Sequence, residues 1–391
     1  MVIVGILSAL WILPKVEDAE LEAFRAIATT VIGAGGLVTL LVITRRQMYQ
    51  EYDSKERRIT EQYMQAVEQL GHEKAPVRLA AMHALDRLGR DYPTQQQVIS
   101  EVWCAYLRSH YRVPKGVAIH LDSHPSYSIP SGDEPPAPEE EREALAEFEV
   151  RLTAQRLLAG HLKYKSLSRS GNPVPADNFW NIGSMDLTGA ILFNFDLSNC
   201  TLPTFQADRA IFFGRTRFRE ANFQEKASFR GAVFRGILDH DGIRSINFRK
   251  DVSFTDAEFC GHSRLSEVHF HGTAGFRDSA FNNGLLATKL DFHEAATFQN
   301  AHFHGKNSEF QNAHFYKDGV FSNIETSASL KFHSARFCGP LSFREPTAGA
   351  QFLDLSGIKL RSEPNALPSG WESVEIEENW WKVEKIREEE I

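Results

Sequence analysis

Residues 268–303, VHFHGTAGFRDSAFNNGLLATKLDFHEAATFQNAHF, decide the fold because their phenylalanines recur at a fixed interval. Phe270, Phe276 and Phe281 are each followed by another phenylalanine at the same constant offset in the chain. Between residues 254 and 281 the large apolar residues are spaced 5, 6, 5, 6 and 5 apart, and a small residue precedes most of them by two positions. A helix repeats about every 3.6 residues and a strand about every 2, so the pattern predicts a chain that turns a corner after each unit.

Aligning the sequence with a 22-residue period, with a single one-residue slip, places the phenylalanines in columns. This predicts a solenoid with four units in each turn, each unit with two inward positions. Adjacent turns of such a ladder lie about 4.8 Å apart, so each ring would stack on the ring before it. The predicted core phenylalanines are Phe248, Phe254, Phe259, Phe270, Phe276, Phe281, Phe292, Phe298, Phe303, Phe315, Phe321, Phe337 and Phe343. Ala287 and the region of Thr326 fall where a phenylalanine is expected, which predicts a thinner core there without a change of phase.

The same rule appears earlier in the chain with leucine. Between residues 185 and 202 four leucines recur at every fifth position, and Met, Ala, Phe or Cys lies two positions before each. This A-x-L/F pattern closely resembles the pentapeptide-repeat family. The resemblance implies a mainly β protein in which residues 181–360 form a right-handed, four-sided β-helix with four repeat units in each turn.

One interval of the repeat is too long. Phe234 and the next phenylalanine of the repeat, Phe248, are further apart than two repeat units require, so that some three extra residues lie within 235–247. We expect this insertion to protrude from the solenoid. Its charged residues make Asp239, His240 and Asp241 a candidate interaction loop.

The N-terminus has a different composition. Residues 26–43 carry no charge and would extend about 27 Å as a helix, which is close to the thickness of a bilayer core. The sequence therefore predicts a transmembrane region at 1–45, with a span at 26–43 and a second, shorter candidate at 1–13. The alternative is a buried helix of a soluble domain. Basic residues follow the longer stretch and acidic residues dominate before it, so the positive-inside rule places the rest of the chain in the cytoplasm.

A helical region separates the predicted membrane segment from the repeats. Residues 46–112 have helical periodicity and resemble the juxtamembrane segment of membrane-anchored bacterial pentapeptide-repeat proteins. Residues 113–138 are rich in proline and polar residues and are predicted to be a linker. We expect residues 139–180 to contain a helix that caps the first turn of the solenoid, because an open sheet edge recruits other chains. The tail, 361–391, either closes the other edge or frays.

Composition argues against several classes of function. The chain has 391 residues and a net charge of −8, and residues 186–359 contain 19 acidic and 19 basic residues, so nothing favours nucleic-acid binding. Its four cysteines include no C-x-x-C pair, which is typical of reduced thiols in a cytoplasmic protein. No G-x-S-x-G, Walker, H-E-x-x-H or dinucleotide-binding pattern is present, so we expect no enzymatic activity, catalytic residue or cofactor.

Histidines form the one cluster of side chains in the sequence that is a candidate for metal binding. Nine of the 15 histidines lie between residues 186 and 360, including two His-Phe-His triplets at 269–271 and 302–304. In the 22-residue alignment one row contains His269, Asp291 and His314, and another contains His271 and His293, a combination that suits Zn²⁺. Polar side chains of many kinds also stack in outward rows, however, and the same rows continue with Arg249 and Tyr316, so we expect no metal site.

Three classes of function fit these features. The first is a membrane-anchored, non-catalytic scaffold whose solenoid binds an unidentified cytoplasmic protein while its N-terminal helices contact membrane lipid. The second is a DNA-mimic inhibitor of DNA gyrase or topoisomerase, as some members of the similar family are, but the balanced charge of residues 186–359 argues against it. The third is a membrane-associated signalling or defence effector, suggested by the domain order alone. The oligomeric state is left open.

Overall fold

The structure is a computed structural model, and it describes most of the chain. The described residues are 18–114, 138–168, 172–239, 245–343, 353–361, 367–377 and 380–386. Contacts divide the chain into two compact units, residues 1–65 and residues 66–391.

The first helix, α1, is Asp18–Leu70, a continuous helix of 53 residues. The predicted span at 26–43 lies within it, and several side chains of that segment are outside the described set, as is the whole of residues 1–13. In the part of the chain that the structure describes, no helix combines the length and the apolar content needed to cross a membrane. The transmembrane region predicted from the sequence is therefore not supported by the structure.

In the part of the chain that the structure describes, three further helices precede the solenoid, and they are called the helical cap. They are α2 (Ala75–Asp91), α3 (Gln96–Arg108) and α4 (Glu139–His161), with a 3₁₀ helix at Pro93–Gln95 between the first two. Proline in the first turn of α2 suits the start of a helix, where its missing N–H has no partner to lose. Pro93 follows the end of α2, because the residue before a proline is disfavoured in helical conformation.

The interior of the helical cap contains a buried arginine. Arg151 of α4 is 1% exposed, and its guanidinium donates to a Glu147 carboxylate oxygen at 2.9 Å and to the backbone oxygens of Leu107 and Ser109 at 3.0 and 2.9 Å. The guanidinium also lies 4.5 Å from the ring centre of Tyr111. A buried charge is tolerated only when it is paired and hydrogen-bonded, and these contacts satisfy that condition.

The repeats form a parallel β-solenoid with four faces, preceded by the antiparallel hairpin of β1 (Tyr164–Leu167) and β2 (Pro173–Pro175). Face 1 consists of β3 (Ser184–Asp186), β6 (Thr204–Gln206), β10 (Ala227–Ser228), β14 (Val252–Ser253), β18 (Ala274–Gly275), β22 (Ala296–Thr297), β26 (Gly319–Val320) and β30 (Leu341–Ser342). Face 2 consists of β4 (Ile191–Phe193), β7 (Ile211–Phe213), β11 (Val233–Phe234), β15 (Glu258–Phe259), β19 (Ala280–Phe281), β23 (His302–Phe303) and β27 (Glu325–Thr326).

The chain visits the remaining two faces in each turn before it returns to face 1. Face 3 consists of β8 (Thr216–Arg217), β12 (Leu238–Asp239), β16 (Ser263–Ser266), β20 (Leu285–Thr288), β24 (Ser308–Gln311), β28 (Leu330–Lys331) and β31 (Leu353–Asp354). Face 4 consists of β5 (Thr201–Leu202), β9 (Asn222–Phe223), β13 (Ile246–Phe248), β17 (Val268–Phe270), β21 (Asp291–Phe292), β25 (His314–Phe315), β29 (Arg336–Phe337), β32 (Lys359–Leu360), β34 (Trp380–Lys385) and β33 (Trp371–Glu377).

The phenylalanine columns predicted from the sequence are confirmed. On face 4, Phe248 pairs with Phe270 and Phe270 with Phe292, each at the offset that the repeat predicts. In the column that contains Phe276, its ring and that of Phe298 are parallel with centres 4.7 Å apart. All thirteen predicted core phenylalanines are at most 6% exposed.

The irregularities of the repeat also lie where the sequence places them. Ala287 is fully buried at an inward position, and Thr326, 3% exposed, occupies the position that pairs with Phe303. The pairing of Leu238 with Thr216 keeps the ordinary offset between turns, whereas the strand that follows at Asn247 pairs with the preceding turn at an offset three positions longer. Three extra residues therefore lie between Leu238 and Asn247, within the predicted insertion.

One register assignment from the sequence is wrong. The five-residue spacing predicts Phe213 inside the solenoid, but Phe212 pairs with Phe234 and stacks on it at 4.5 Å. Phe213 lies on the outer side of face 2, where its ring stacks on Phe193 in a buried cluster that also contains Phe148 of α4. Steps of five and six residues both occur in the repeat, so the spacing alone does not distinguish the two neighbouring rings.

The corners of the solenoid require left-handed backbone. Asp256, Asp278, Asn300 and Asn323 form one corner column and have φ between 55° and 58°. Asparagine and aspartate accept this conformation at lower cost than most residues with a Cβ. Their side chains also connect the turns, since the Asn300 amide donates to a carboxylate oxygen of Asp278 at 2.8 Å.

Other elements lie at both ends of the solenoid. At the first turn, Gln155 of α4 accepts from the Phe193 N–H at 2.9 Å and donates to the Phe193 carbonyl at 2.8 Å. At the last turn, β34 pairs antiparallel with β32 through Leu360 and Trp381. These contacts occupy backbone groups at sheet edges that would otherwise be open to another chain.

Candidate functional site

The outer surface of the solenoid carries rows of side chains that run from turn to turn. The residues on either side of each inward phenylalanine point outward, because successive side chains of a strand alternate between its two sides. On face 4 one outer row reads Asn247, His269, Asp291, His314, Arg336 and Lys359. The predicted neighbours of the histidine rows are therefore neighbours in the structure.

The first histidine row forms hydrogen bonds through a central carboxylate. Asp291 lies 2.9 Å from Nδ1 of His269 and 3.3 Å from Nδ1 of His314, one through each carboxylate oxygen. The two imidazoles belong to strands two turns apart, about 9.6 Å, and lie on opposite sides of the carboxylate. This arrangement suits hydrogen bonding along the row rather than binding of a common metal ion.

The second row on face 4 is a stack of rings. The ring centres of His271 and His293 are 4.8 Å apart, and those of His293 and Tyr316 are 4.9 Å apart, with nearly parallel planes in both pairs. Burial lowers the pKa of His271, and the neighbouring His293 and Arg249 lower it further. A lowered pKa favours the neutral imidazole, so His271 stacks on its neighbour without adding a positive charge beside Arg249.

Face 2 carries the second His-Phe-His triplet beside an acidic residue. His302 and His304 flank the inward Phe303 on β23, and Glu325 lies one turn further on, opposite His302. Nδ1 of His302 is 2.9 Å from a Glu325 carboxylate oxygen, and Nδ1 of His304 is 3.2 Å from the Ser327 hydroxyl. One metal-ligating atom from each of His302, His304 and Glu325 lies within 4.8 Å of the others.

Sequence reasoning noticed this triplet but missed its carboxylate partner. His302 and Glu325 are one position further apart in the chain than the regular repeat predicts. The offset between turns is still the regular one where Phe281 pairs with Phe303, and it lengthens by one on the following turn. The same one-residue slip that aligns Asp291 with His314 on face 4 also aligns His302 with Glu325, so extending it to this row would have revealed the partner.

Face 1 has a different surface, made of short side chains. A groove of about 590 Å³ crosses β6, β10, β14, β18 and β22. Its outward residues include Ser228, Ser253, Gly275 and Thr297. No long side chain of these four positions shields the sheet, so another molecule can approach the strands closely.

The rim of this groove is charged. The backbone N–H of Thr273 donates to the Asp251 carboxylate at 3.0 Å, and this hydrogen bond, assisted by Lys226, holds the pKa of Asp251 below its ordinary value despite partial burial. Lys226 Nζ lies 3.6 Å from the same carboxylate, and both side chains remain accessible to solvent. The groove therefore combines a smooth floor with a charged pair that other molecules can reach.

A buried polar cluster joins the helical cap to the first turns. Nε2 of His161 is 2.6 Å from a carboxylate oxygen of Asp86, and its Nδ1 is 2.8 Å from the backbone oxygen of Asn178. The Trp180 ring stacks on the imidazole with centres 3.9 Å apart. Asp86 and His161 are 75 positions apart in the chain, and no repeat or motif in the sequence connects them.

The candidate interaction loop falls largely outside the described residues. Asp239 is the last residue of β12, and its side chain, together with the whole of His240 and Asp241, lies outside the described set. The four cysteines are described, and all are free thiols. Burial raises the pKa of both Cys104 and Cys200 to about 12.

No family model matches the chain, and no curated protein or solved structure matches it either. The likeness to pentapeptide-repeat proteins therefore rests on the A-x-L/F pattern and on the four-faced solenoid with stacked phenylalanine columns.

Proposed function

We propose that the protein is a non-catalytic scaffold of the pentapeptide-repeat type, which binds a protein partner through its solenoid and attaches to a membrane through its N-terminal helix. The groove on face 1 is the observation that carries the proposal. It extends over five strands and is floored by short side chains, so a partner can contact the strands over several turns. Interfaces of this kind depend on shape complementarity with a charged rim, which Lys226 and Asp251 provide.

The strands of face 1 are already paired in the turn-to-turn direction. Val252 of β14, for example, pairs with Ala227 on one side and with Ala274 on the other. A partner therefore has no free backbone groups to pair with in the middle of this face, and recognition depends on side chains. Apolar and hydroxyl contacts spread over a wide area are typical of protein interfaces rather than of small-molecule sites.

Exposed apolar side chains of α1 support the membrane part of the proposal. Large apolar residues of this helix are 56–64% exposed, namely Ile27, Val31, Val38, Leu40, Leu41, Val42 and Ile43. Transfer of such side chains from water into lipid is favourable by about 25 cal/mol for each Å² removed from water. Arg45 and Arg46 follow directly and would meet anionic headgroups on the cytoplasmic side.

One variant tests the role of face 1. Gly275 lies in the groove, and a Cβ placed there would meet its nearest atom at 3.7 Å, so Gly275→Arg fills the groove without a backbone clash. We expect Gly275→Arg to lose the partners that crosslinking captures with the unaltered chain, and Thr288→Arg on face 3 to retain them. If both variants captured the same partners equally well, the proposal that partners bind to face 1 would be contradicted.

A separate deletion tests attachment to the membrane. We expect the full chain to sediment with membranes and a chain that lacks residues 1–45 to remain in the supernatant. Release of the full chain by salt alone would contradict apolar attachment, because screening weakens electrostatic but not hydrophobic contacts.

The balanced charge of the repeats gives DNA mimicry less support than the scaffold. Residues 186–359 hold 19 acidic and 19 basic side chains, so they lack the uniform negative field of a duplex. We expect the full chain to leave supercoiling by DNA gyrase unchanged.

A further inference from the structure

Two imidazoles and a carboxylate meet on the outer side of face 2. His302 and His304 point to the same side of β23 because they flank an inward phenylalanine, and pairing of β23 with β27 places Glu325 beside His302. One ligand atom from each residue lies within 4.8 Å of the others, a convergence that no other group of three described His, Cys, Asp or Glu side chains reaches.

This donor set matches the ligands of a divalent transition metal. Zn²⁺ binds imidazole nitrogen and carboxylate oxygen at about 2.0–2.2 Å, which separates tetrahedral ligand atoms by about 3.3 Å. The side chains of His302 and Glu325 are 40% and 44% exposed, so they can rotate by the small amount that closer approach requires. Two histidines and one carboxylate also leave a coordination position for water.

The surroundings favour metal binding at this point of the face. The Ser327 hydroxyl lies 3.2 Å from Nδ1 of His304, and such outer contacts fix the orientation of a metal-bound imidazole. On the preceding turn, the residue that pairs with His302 is Ala280, whose methyl group cannot hydrogen-bond to the imidazole. The next carboxylate on that side, Glu258, accepts a hydrogen bond from Asn282 at 2.8 Å.

The position of the cluster gives an ion a structural role. In the described part of the chain, β27 is the end strand of face 2 and pairs with β23 alone. Its inward residue is Thr326 instead of the phenylalanine found on β23, so the ring column ends there. An ion held by both strands would replace part of the cohesion that the missing ring would have supplied.

We propose that His302, His304 and Glu325 bind one divalent transition metal ion of the Zn²⁺ class, which links β23 to β27 on face 2. The histidines of face 4 are not part of this site, because Asp291 separates His269 from His314 there. The proposal does not depend on the scaffold function, since the site lies on a different face from the groove.

Metal titration of the purified, tag-free full chain tests this directly. Co²⁺ serves as the probe because its visible absorption reports tetrahedral nitrogen and oxygen ligation, and Zn²⁺ then displaces it. We expect one equivalent of Co²⁺ to bind to the unaltered chain, and Glu325→Gln and His304→Gln each to weaken the affinity at least tenfold. The matched control replaces His271 and His293 on face 4 with glutamine and should bind as the unaltered chain does.

Hydrogen exchange supplies a second measurement that a nonspecific histidine effect would not reproduce. Zn²⁺ should slow amide exchange in β27 in the unaltered chain and leave it unchanged in Glu325→Gln. Circular dichroism checks that each variant is folded. We expect folding to be retained because the substituted side chains are partly exposed. Binding of less than half an equivalent, equal loss in the face 4 control, or no change of exchange in β27 would each overturn the proposal.

Discussion

The helical cap and the solenoid belong to the same unit of the chain, but they fill their interiors in different ways. The solenoid stacks one kind of ring, so that Phe276 lies 5.0 Å from Phe254 and 4.7 Å from Phe298. The cap buries charged and polar groups among varied apolar side chains, and these groups include Arg151 and the pair of Asp86 and His161. Within one unit, stacking of repeated rings therefore stabilises the solenoid, and polar contacts that occur only once stabilise the neighbouring helical cap.

The difference shows where structural specificity resides. Ring stacking is favourable at every turn and does not by itself select one register, because each turn offers the same surface to the next. A buried guanidinium is stable only when particular acceptors surround it. Contacts such as that of Gln155 with the backbone of Phe193 consequently define where the solenoid begins.

Removal of one ring from the solenoid should have the largest effect on stability. Phe276→Ala leaves a cavity between the two rings that stack on it, and substitutions of this type cost about 3–5 kcal/mol. Urea denaturation measures the free energy of unfolding, and hydrogen exchange should show the loss concentrated in β14, β18 and β22, because turns of a solenoid contact only their neighbours.

Phe276→Leu is the matched control for this change. It keeps most of the buried apolar volume and should lose less than half as much stability. Equal losses for the two variants would mean that ring stacking, rather than volume, dominates the interior.

Removal of the buried cation should have the next largest effect. Arg151→Leu leaves two backbone oxygens without this donor and removes one of three donors to Glu147, which keeps Arg78 and Tyr106. Breaking a buried pair in this way costs about 3 kcal/mol. Arg142 of the same helix pairs with Glu139 at the surface, where both side chains are more than half exposed, so Arg142→Leu should change thermal stability little. Similar melting temperatures for the two variants would contradict the importance of the buried network.

The same contrast explains how far sequence reasoning could reach. The column through Phe270 was predictable because its spacing recurs at every turn. The choice of Phe212 over Phe213 was not, because steps of five and six residues are both part of the repeat. The pair of Asp86 and His161 gave no signal, since a single contact between distant segments leaves no period in a sequence.

A corner residue allows a finer test of the repeat. Asn300 has a φ of 57° and donates to Asp278, so its side chain serves both the left-handed backbone and the ladder between turns. Asn300→Ala loses both and should cost about 1–2 kcal/mol. Asn300→Gly keeps the conformation at low cost and loses only the side-chain hydrogen bonds to Asp278 and Asn323, so urea denaturation should show a smaller loss. A larger loss for glycine than for alanine would contradict this division.

The smallest effect is expected from the protonation of His271 in the outer stack of rings. In the folded protein, burial lowers the pKa of His271, and so do the neighbouring His293 and Arg249. In the unfolded chain, the same imidazole has its ordinary pKa of about 6.5. The unfolded chain therefore binds more protons in this range, so the contribution is complete above about pH 6.5 and is lost as the pH falls through the folded pKa. His271→Asn should flatten the decline of unfolding free energy with acidification, as measured by urea denaturation at a series of pH values. An unchanged decline in His271→Asn would show that the outer stack, unlike the inner columns, does not influence the stability of the fold.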